Sequence, residues 1–235
     1  MRTTIALTTL AVLLAAAPAV AQVPRPDEDH VVTRGEGIVR RAPDRAFVTV
    51  AAESRAREPR VAQQANATAM AAVLKRLEGL GFTGGAVRTL SFGVEPEYDW
   101  VDSRQTLRGY VARNAVEVRV DDIGRVGEVV DVAVASGATQ VRDVRFTLKD
   151  MAAAEKEALS LASADALARA TALAEGVGRT VARVVRLDEV GEAPPTPVMM
   201  RMSAPMAAAE AAPSTPVAAG EIDVQSRVTL TAVLK

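Results

Sequence analysis

Residues 150–175 read DMAAAEKEALSLASADALARATALAE and predict the element around which the rest of the fold is arranged. Alanine dominates this stretch and has the highest helix propensity, and Asp150 is a favourable N-cap. We therefore expect a helix from Met151 to Glu175, roughly 37 Å long at about 1.5 Å per residue. Its apolar residues keep no clean heptad, which disfavours a coiled coil. Because alanine side chains let another backbone approach closely, packing on a sheet is favoured.

Alternating and helical spacing of apolar residues places the other elements outward from this helix. We expect strands at 31–40, 45–53, 86–98, 106–120, 141–148, 181–187 and 221–234, with shorter helices at 59–80 and 123–137. The same spacing predicts core positions in the two shorter helices and the last strand: Met70, Val73, Leu74, Leu77, Ile123, Val126, Val130, Ala133, Ile222, Val224, Val228, Leu230 and Ala232. The order ββ-α-ββ-α-β-α-ββ predicts an α+β fold, with a mixed or antiparallel sheet packed against the long helix and the shorter ones.

The first two strands carry strong local signals. Ala46, Val48 and Val50 alternate on one face of the second strand, and an Ala-Pro-Asp turn signal at 42–44 separates it from the first. We therefore expect these strands to form a hairpin. The first strand is interrupted by Gly35 and Gly37, which lack the third glycine of a dinucleotide motif and precede no helix. We interpret them as a bulge or turn.

The first thirty residues and one internal segment differ in composition from the rest of the chain. Residues 1–21 combine Arg2, an apolar run and a small-residue site at 19–21, and predict a cleavable signal peptide with the mature chain starting at Gln22. Residues 22–30 predict a mobile tail. We expect one domain over 31–235, with a flexible Pro-, Ala- and Met-rich loop at 191–219. No later stretch is apolar enough to span a membrane, so a periplasmic location is expected.

Composition excludes most common enzyme chemistries. The chain has no cysteine, one histidine and a net charge of −1, from 28 Lys plus Arg against 29 Asp plus Glu. Disulfides, thiolate zinc sites and Cys nucleophiles are therefore excluded, and a Ser-His-Asp triad is hard to build. The basic residues form no stripe, which argues against nucleic-acid binding. His30 alone has too few partners for a functional metal site, and we predict no cofactor.

The predicted hairpin between 86 and 120 concentrates the residues of interest. Tyr98, Trp100 and Tyr110 are three of the seven aromatic residues in the chain. Aromatic side chains are favoured in interfaces, so they predict either packing within the domain or contact between subunits. Together with Arg108 they form a candidate assembly hairpin.

Carboxylates cluster near the tip of the same hairpin, at Glu95, Glu97, Asp99 and Asp102. Paired carboxylates are typical of glycosidases and of calcium loops, but the ligand spacing and turn glycine of a calcium loop are missing. We interpret the cluster as a solvated hairpin surface, with an unrecognised hydrolase as the alternative.

Four of the seven methionines lie in the 191–219 loop: Met199, Met200, Met202 and Met206. Thioethers are soft ligands for Cu(I) and are oxidised reversibly. The loop has no His or Cys to complete a soft site, so a partner-contacting or inert loop is favoured over a Cu(I) or small-ligand site.

An ordered set of short motifs resembles the SIMPL-domain family, which includes bacterial periplasmic immunogenic proteins and oxidative-stress defence proteins. The matching residues run from about 31 to 235 and include Gly35, Gly37, Ala42-Pro43-Asp44, Asn66, Met70, Arg108-Gly109-Tyr110, Asn114, Ser136-Gly137-Ala138 and Gly220-Glu221. The resemblance implies an α+β domain with a long amphipathic helix on a sheet and a tendency towards ring-like or channel-like oligomers. It brings no established catalytic residue or cofactor.

Taken together, these features predict a periplasmic, non-enzymatic homo-oligomer, and the resemblance adds a role in envelope or oxidative-stress tolerance. The alternative is a periplasmic protein that binds a small ligand or Cu(I) through its Met-rich loop. We predict no nucleic-acid partner, and leave contact with the outer membrane open.

Overall fold

The computed structural model of the protein describes residues 29–101, 104–191, 215 and 217–235. Within these ranges seven strands and three α-helices follow one another in the predicted order, which confirms the α+β class. Their bounds are β1 His30–Arg41, β2 Arg45–Ala56, α1 Pro59–Gly79, β3 Val87–Val101, β4 Arg104–Val120, α2 Val126–Ala135, β5 Gln140–Thr147, α3 Met151–Gly176, β6 Val181–Glu189 and β7 Ile222–Leu234. The predicted signal peptide at 1–21, the tail up to residue 28 and most of the 191–219 loop lie outside the described residues.

The strands are divided between two antiparallel sheets, each with its own helices. Sheet A has the order β1-β7-β6 and is covered on one face by α3. Sheet B has the order β3-β4-β2-β5 and carries α1 and α2 on one face. The long helix and the shorter helices therefore pack on different sheets and not on a shared one.

The expected hairpin between β1 and β2 is wrong. All twelve residues of β1 pair with β7, from His30 opposite Val233 to Arg41 opposite Ile222, whereas β2 lies between β4 and β5. The connection at 42–44 carries the chain from sheet A to sheet B. A turn signal shows that the chain changes direction, but it does not determine which strand becomes the partner.

The interpretation of Gly35 and Gly37 as a bulge or turn is also wrong. Both lie in the regular part of β1, opposite Val228 and Ser226, with no shift in register. Both face α3, where a Cβ added at either glycine would lie 2.0 Å from a helix carbonyl oxygen. The glycines are therefore required by the close approach of the helix and not by a turn.

The predicted helix ends and core faces are largely confirmed. Asp150 Oδ1 accepts a hydrogen bond from Ala153 N at 2.8 Å, and Gly81 follows α1 with a φ of +89°. Ala46, Val48 and Val50 are fully buried, as are most of the predicted core positions. Ile123 and Val130 are only half-buried at the border of the core. Leu74 is 38% exposed, because Met70, Val73 and Leu77 already fill the face of α1 that meets sheet B.

Candidate functional site: the long hairpin

The hairpin of β3 and β4 is confirmed, and its β3 strand has a strictly alternating sequence towards the tip. Phe92, Val94, Pro96, Tyr98 and Trp100 take every second position, and Gly93, Glu95, Glu97 and Asp99 take the positions between. Successive side chains of a strand point to opposite faces. One face of β3 is therefore apolar and aromatic, and the other is acidic.

The apolar side of this hairpin is open to solvent. Phe92, Tyr98 and Trp100 are 54%, 46% and 74% exposed, and Leu107, directly opposite Tyr98 on β4, is 48% exposed. We call Phe92, Val94, Pro96, Tyr98, Trp100 and Leu107 the aromatic row. The alternation that normally buries one face of a strand here leaves large apolar side chains uncovered, which is the usual mark of an interaction surface.

The acidic side of the hairpin is neutralised by arginines. Glu95 pairs with Arg113 at 3.2 Å, and Glu97 pairs with Arg55 at 3.2 Å and with Arg108 at 3.8 Å. Asp99 lies 3.7 Å from the same Arg108 guanidinium. Each of these three carboxylates thus faces a cation and not another carboxylate, which is the arrangement of a solvated charged face. Asp102 lies outside the described residues.

The four residues of the predicted assembly hairpin do not share one face. Tyr98 and Trp100 belong to the aromatic row, and Tyr110, opposite Pro96, lies on the same side but is half-buried. Arg108 is the extra residue at the register shift between Glu97 and Tyr98, and it pairs with the acids on the opposite side. Phe92 and Leu107 were missed by the sequence interpretation, although the alternation from Phe92 to Trp100 is visible in the sequence.

Several residues of the sequence motifs hold the backbone in place beneath the hairpin. Asn66 of α1 is fully buried, and its Nδ2 donates to Ala52 O at 2.7 Å and to Ala112 O at 3.1 Å, which ties the helix to β2 and β4. A Cβ at Gly109 would lie 2.6 Å from the carbonyl oxygen of Ala56. These positions serve the packing of sheet B rather than a reaction.

The other residues that the sequence singled out, the loop methionines and His30, add no further functional site in the described residues. Met199, Met200, Met202 and Met206 lie outside the described residues, so the structure does not bear on the Cu(I) alternative. His30 is the first residue of β1, opposite Val233. In the described ranges no three His, Asp or Glu side chains come together as metal ligands would. None of the helices within those ranges is long and apolar enough to cross a bilayer.

Comparison with known proteins identifies the family. The chain is 30% identical over 198 residues to the 26 kDa periplasmic immunogenic protein of Brucella melitensis, covering 82% of this chain and 79% of that protein. It is 26% identical over 201 residues to the uncharacterized protein YggE of Escherichia coli K12, covering 85% and 82% of the two chains. The SIMPL family model, described as a protein of unknown function (DUF541), matches residues 31–232. The chain therefore belongs to the SIMPL family.

Proposed function

We propose that the protein is a periplasmic, non-enzymatic homo-oligomer that assembles through the aromatic row and contributes to envelope or oxidative-stress tolerance. The N-terminal signal pattern supports export, and the name of the Brucella relative supports a periplasmic location. The stress role rests on the family resemblance alone. Nothing in the described residues points to catalysis.

The observation that carries the proposal is the exposure of the aromatic row. Tyr and Trp are enriched at the centres of protein interfaces, where each buries a large area with few rotatable bonds. Apolar surface contributes about 25 cal/mol per Å² when it is removed from water, so a covered row would stabilise an assembly substantially. The paired charges on the opposite face keep that side soluble.

A second copy is the partner that fits this row. β3 is an edge strand of sheet B, so its outer backbone groups have no partner strand in the described chain. An unpaired edge beside an apolar face is suited to pairing with the same edge of another copy. In a two-fold contact the same patch serves both subunits, and aromatic side chains stack well on one another.

The assembly step is tested by measuring the mass of the chain from Gln22 to Lys235 by size-exclusion chromatography with light scattering. We expect a defined oligomer for the wild type and dissociation to smaller species for the double variant Tyr98→Ser, Trp100→Ser. Leu173→Ser removes an equally exposed apolar side chain from α3 and serves as the control, with no change in mass expected. A monomeric wild type at all concentrations would contradict the proposal.

The physiological role is tested in a deletion strain exposed to peroxide and to envelope stress. We expect reduced survival, restored by the wild-type gene but not by the double variant. Normal survival of the deletion strain would remove the stress role without affecting the assembly step.

A further inference from the structure

A hollow of about 200 Å³ lies on the face of sheet B that points away from α1 and α2. Its floor is one register row across all four strands, in which Ser91, Ala115, Ala51 and Gln140 stand side by side. Three strand spacings of about 4.8 Å place Ser91 and Gln140 roughly 14 Å apart. The row is therefore a floor of two alanines with a polar side chain at each end.

The two alanines are buried although no helix packs on this face. Ala51 and Ala115 are each only 4% exposed, because longer side chains from the neighbouring positions rise around them. Glu53 and Arg113 form one wall and bond each other at 2.8 Å, and Arg142 of β5 stands at the end of the floor that Gln140 occupies. A small-residue floor with long polar walls gives the hollow its depth.

The charges on one wall are already satisfied. Glu53, with only 12% of its side chain exposed, is bonded by Arg113 and by Arg55, and Arg113 also bonds Glu95 at 3.2 Å. This wall therefore offers a ligand no unpaired charge to bind. The carboxylates of Glu53 and Glu95 also repel a multiply charged anion.

Arg142, unlike Arg113 and Arg55, has no carboxylate partner in the described residues. It is the extra residue of β5 at the register shift opposite Thr49 and Val50, and bulges of this kind redirect a side chain. Its Nε donates to Gln140 Oε1 at 3.2 Å, and none of the carboxylates in the described part of the chain lies within ion-pair distance. The hydroxyl of Ser91 and the amide nitrogen of Gln140 likewise have no partner there. One full positive charge and two neutral donors thus surround an apolar floor.

We propose that this hollow binds a small organic monocarboxylate. Its carboxylate is held by the guanidinium of Arg142 and the amide of Gln140, and its short apolar body lies on Ala51 and Ala115 towards Ser91. The planar guanidinium matches a carboxylate with two parallel hydrogen bonds. The single uncompensated charge selects a monoanion over a phosphate dianion. Of the aromatic row only Phe92 borders the hollow, and none of the groups that hold the carboxylate belongs to the row. The site therefore does not rest on the proposed assembly.

Equilibrium dialysis of the chain from Gln22 with radiolabelled butyrate tests the site, because this measurement does not depend on the mass of an assembly. We expect saturable binding of one butyrate per chain, competed by acetate but not by butyramide, which has no charge. Arg142→Gln should weaken binding at least tenfold. Arg34→Gln, which removes an exposed arginine of β1 on the other sheet, should leave it unchanged.

A second variant tests the shape of the hollow. Ala115→Leu places a larger side chain on the floor and should abolish binding while Arg142 is retained. Arg142→Gln changes an exposed side chain and leaves the core intact, so its result decides the question even if Ala115→Leu does not fold. The site is overturned if butyrate does not bind saturably, or if Arg142→Gln and Arg34→Gln bind it equally well.

Discussion

Two glycines in β1 determine how closely α3 packs on sheet A. A Cβ at Gly35 would lie 2.0 Å from Ala162 O and 2.4 Å from Ala166 N, and a Cβ at Gly37 would lie 2.0 Å from Ala158 O. These distances are far below van der Waals contact, so neither position accepts even one methyl group without movement of the helix. The close contact between α3 and β1 thus requires both the alanines of the helix and the glycines of the strand.

Gly35→Ala is therefore expected to lower the free energy of unfolding, although alanine normally favours a strand more than glycine does. Overpacking of a filled core usually costs about 1–3 kcal/mol, and the contact here involves rigid backbone atoms. Urea denaturation of the wild type and the variant measures the change. Gly93→Ala in β3 is the matched control, because a Cβ there meets nothing within 4 Å and should leave stability unchanged or raise it slightly. Equal effects of the two substitutions would contradict the close-packing account.

At the scale of whole elements, α3 and β1 stay in contact over several turns because inward-facing residues recur at nearly the same distance along each of them. Every fourth residue of α3 is a buried alanine: Ala154, Ala158, Ala162, Ala166, Ala170 and Ala174. Four helical residues advance about 6.0 Å, and two strand residues advance about 6.6 Å. The inward residues of β1, which include Gly35 and Gly37, therefore meet successive alanines along the whole contact.

The sequence predicts this helix and its ends well, because propensity and the Asp150 cap are local properties. It does not predict what α3 packs against. Alternation in β1 identifies a buried face, but the partner strand β7 lies almost two hundred residues further along the chain. The same limit explains the two wrong expectations for β1, since both were inferred from its immediate neighbours.

The Asp165 carboxylate of α3 bonds one backbone amide of β1 and gives the contact between helix and strand a pH dependence. Its Oδ2 accepts a hydrogen bond from Glu36 N at 3.0 Å and lies 2.9 Å from Arg169 Nε. The bond from the Glu36 backbone, with Arg169 second, lowers the pKa of Asp165 below its ordinary value. A lowered pKa means that the folded state prefers the carboxylate. The stabilisation is therefore present above about pH 4 and is lost as the pH falls through the lowered pKa.

Asp165→Asn should lower the urea midpoint at pH 7, and the difference from the wild type should shrink as the pH falls below about 4. Urea titrations at pH 7, 5 and 3 measure this. Asp188→Asn removes a carboxylate that pairs with Arg186 on β6 and contacts no edge amide in the described chain, so it is the control. A difference between Asp165→Asn and the wild type that stays constant down to pH 3 would contradict the role of the charge.

At the scale of the molecule, the buried apolar residues of sheet B are separate from those of sheet A, which form two clusters along α3. The core of sheet B joins β2, β4, α1 and α2, and the core residues of sheet A lie on β1, β7 and α3, with Leu148 from the connection before α3. The chain passes between the sheets at 42–44 and again at 148–150. Asp44 links these crossings, because its N–H donates to Thr147 O at 3.3 Å and its Oδ1 accepts from Lys149 N at 2.6 Å.

This division could not be read from the sequence. The order of elements is the same for one mixed sheet or two antiparallel ones, and only long-range pairing distinguishes them. The expectation of a single domain over 31–235 therefore remains a prediction.

The aromatic row was partly predictable, since its alternation is local. Its exposure was not, because burial depends on whether a helix covers that end of the sheet.

Separate cores joined by two short crossings should open as two cooperative units. Leu77→Ala removes a fully buried side chain from the core of sheet B and should cost about 2–5 kcal/mol there, since a Leu→Ala cavity in a packed core costs that much. Because about 1.4 kcal/mol corresponds to a tenfold change in an opening equilibrium, protection of the amides in β2, β4 and α1 should fall by more than tenfold. Amides of β1, β7 and α3 should keep their wild-type protection. Native-state hydrogen exchange measures both sets in one experiment.

Leu230→Ala in β7 is the reciprocal variant and should lower protection in sheet A alone. If both variants reduce protection equally throughout the chain, the two sheets form one cooperative unit, and the short crossings couple them more strongly than their few contacts imply.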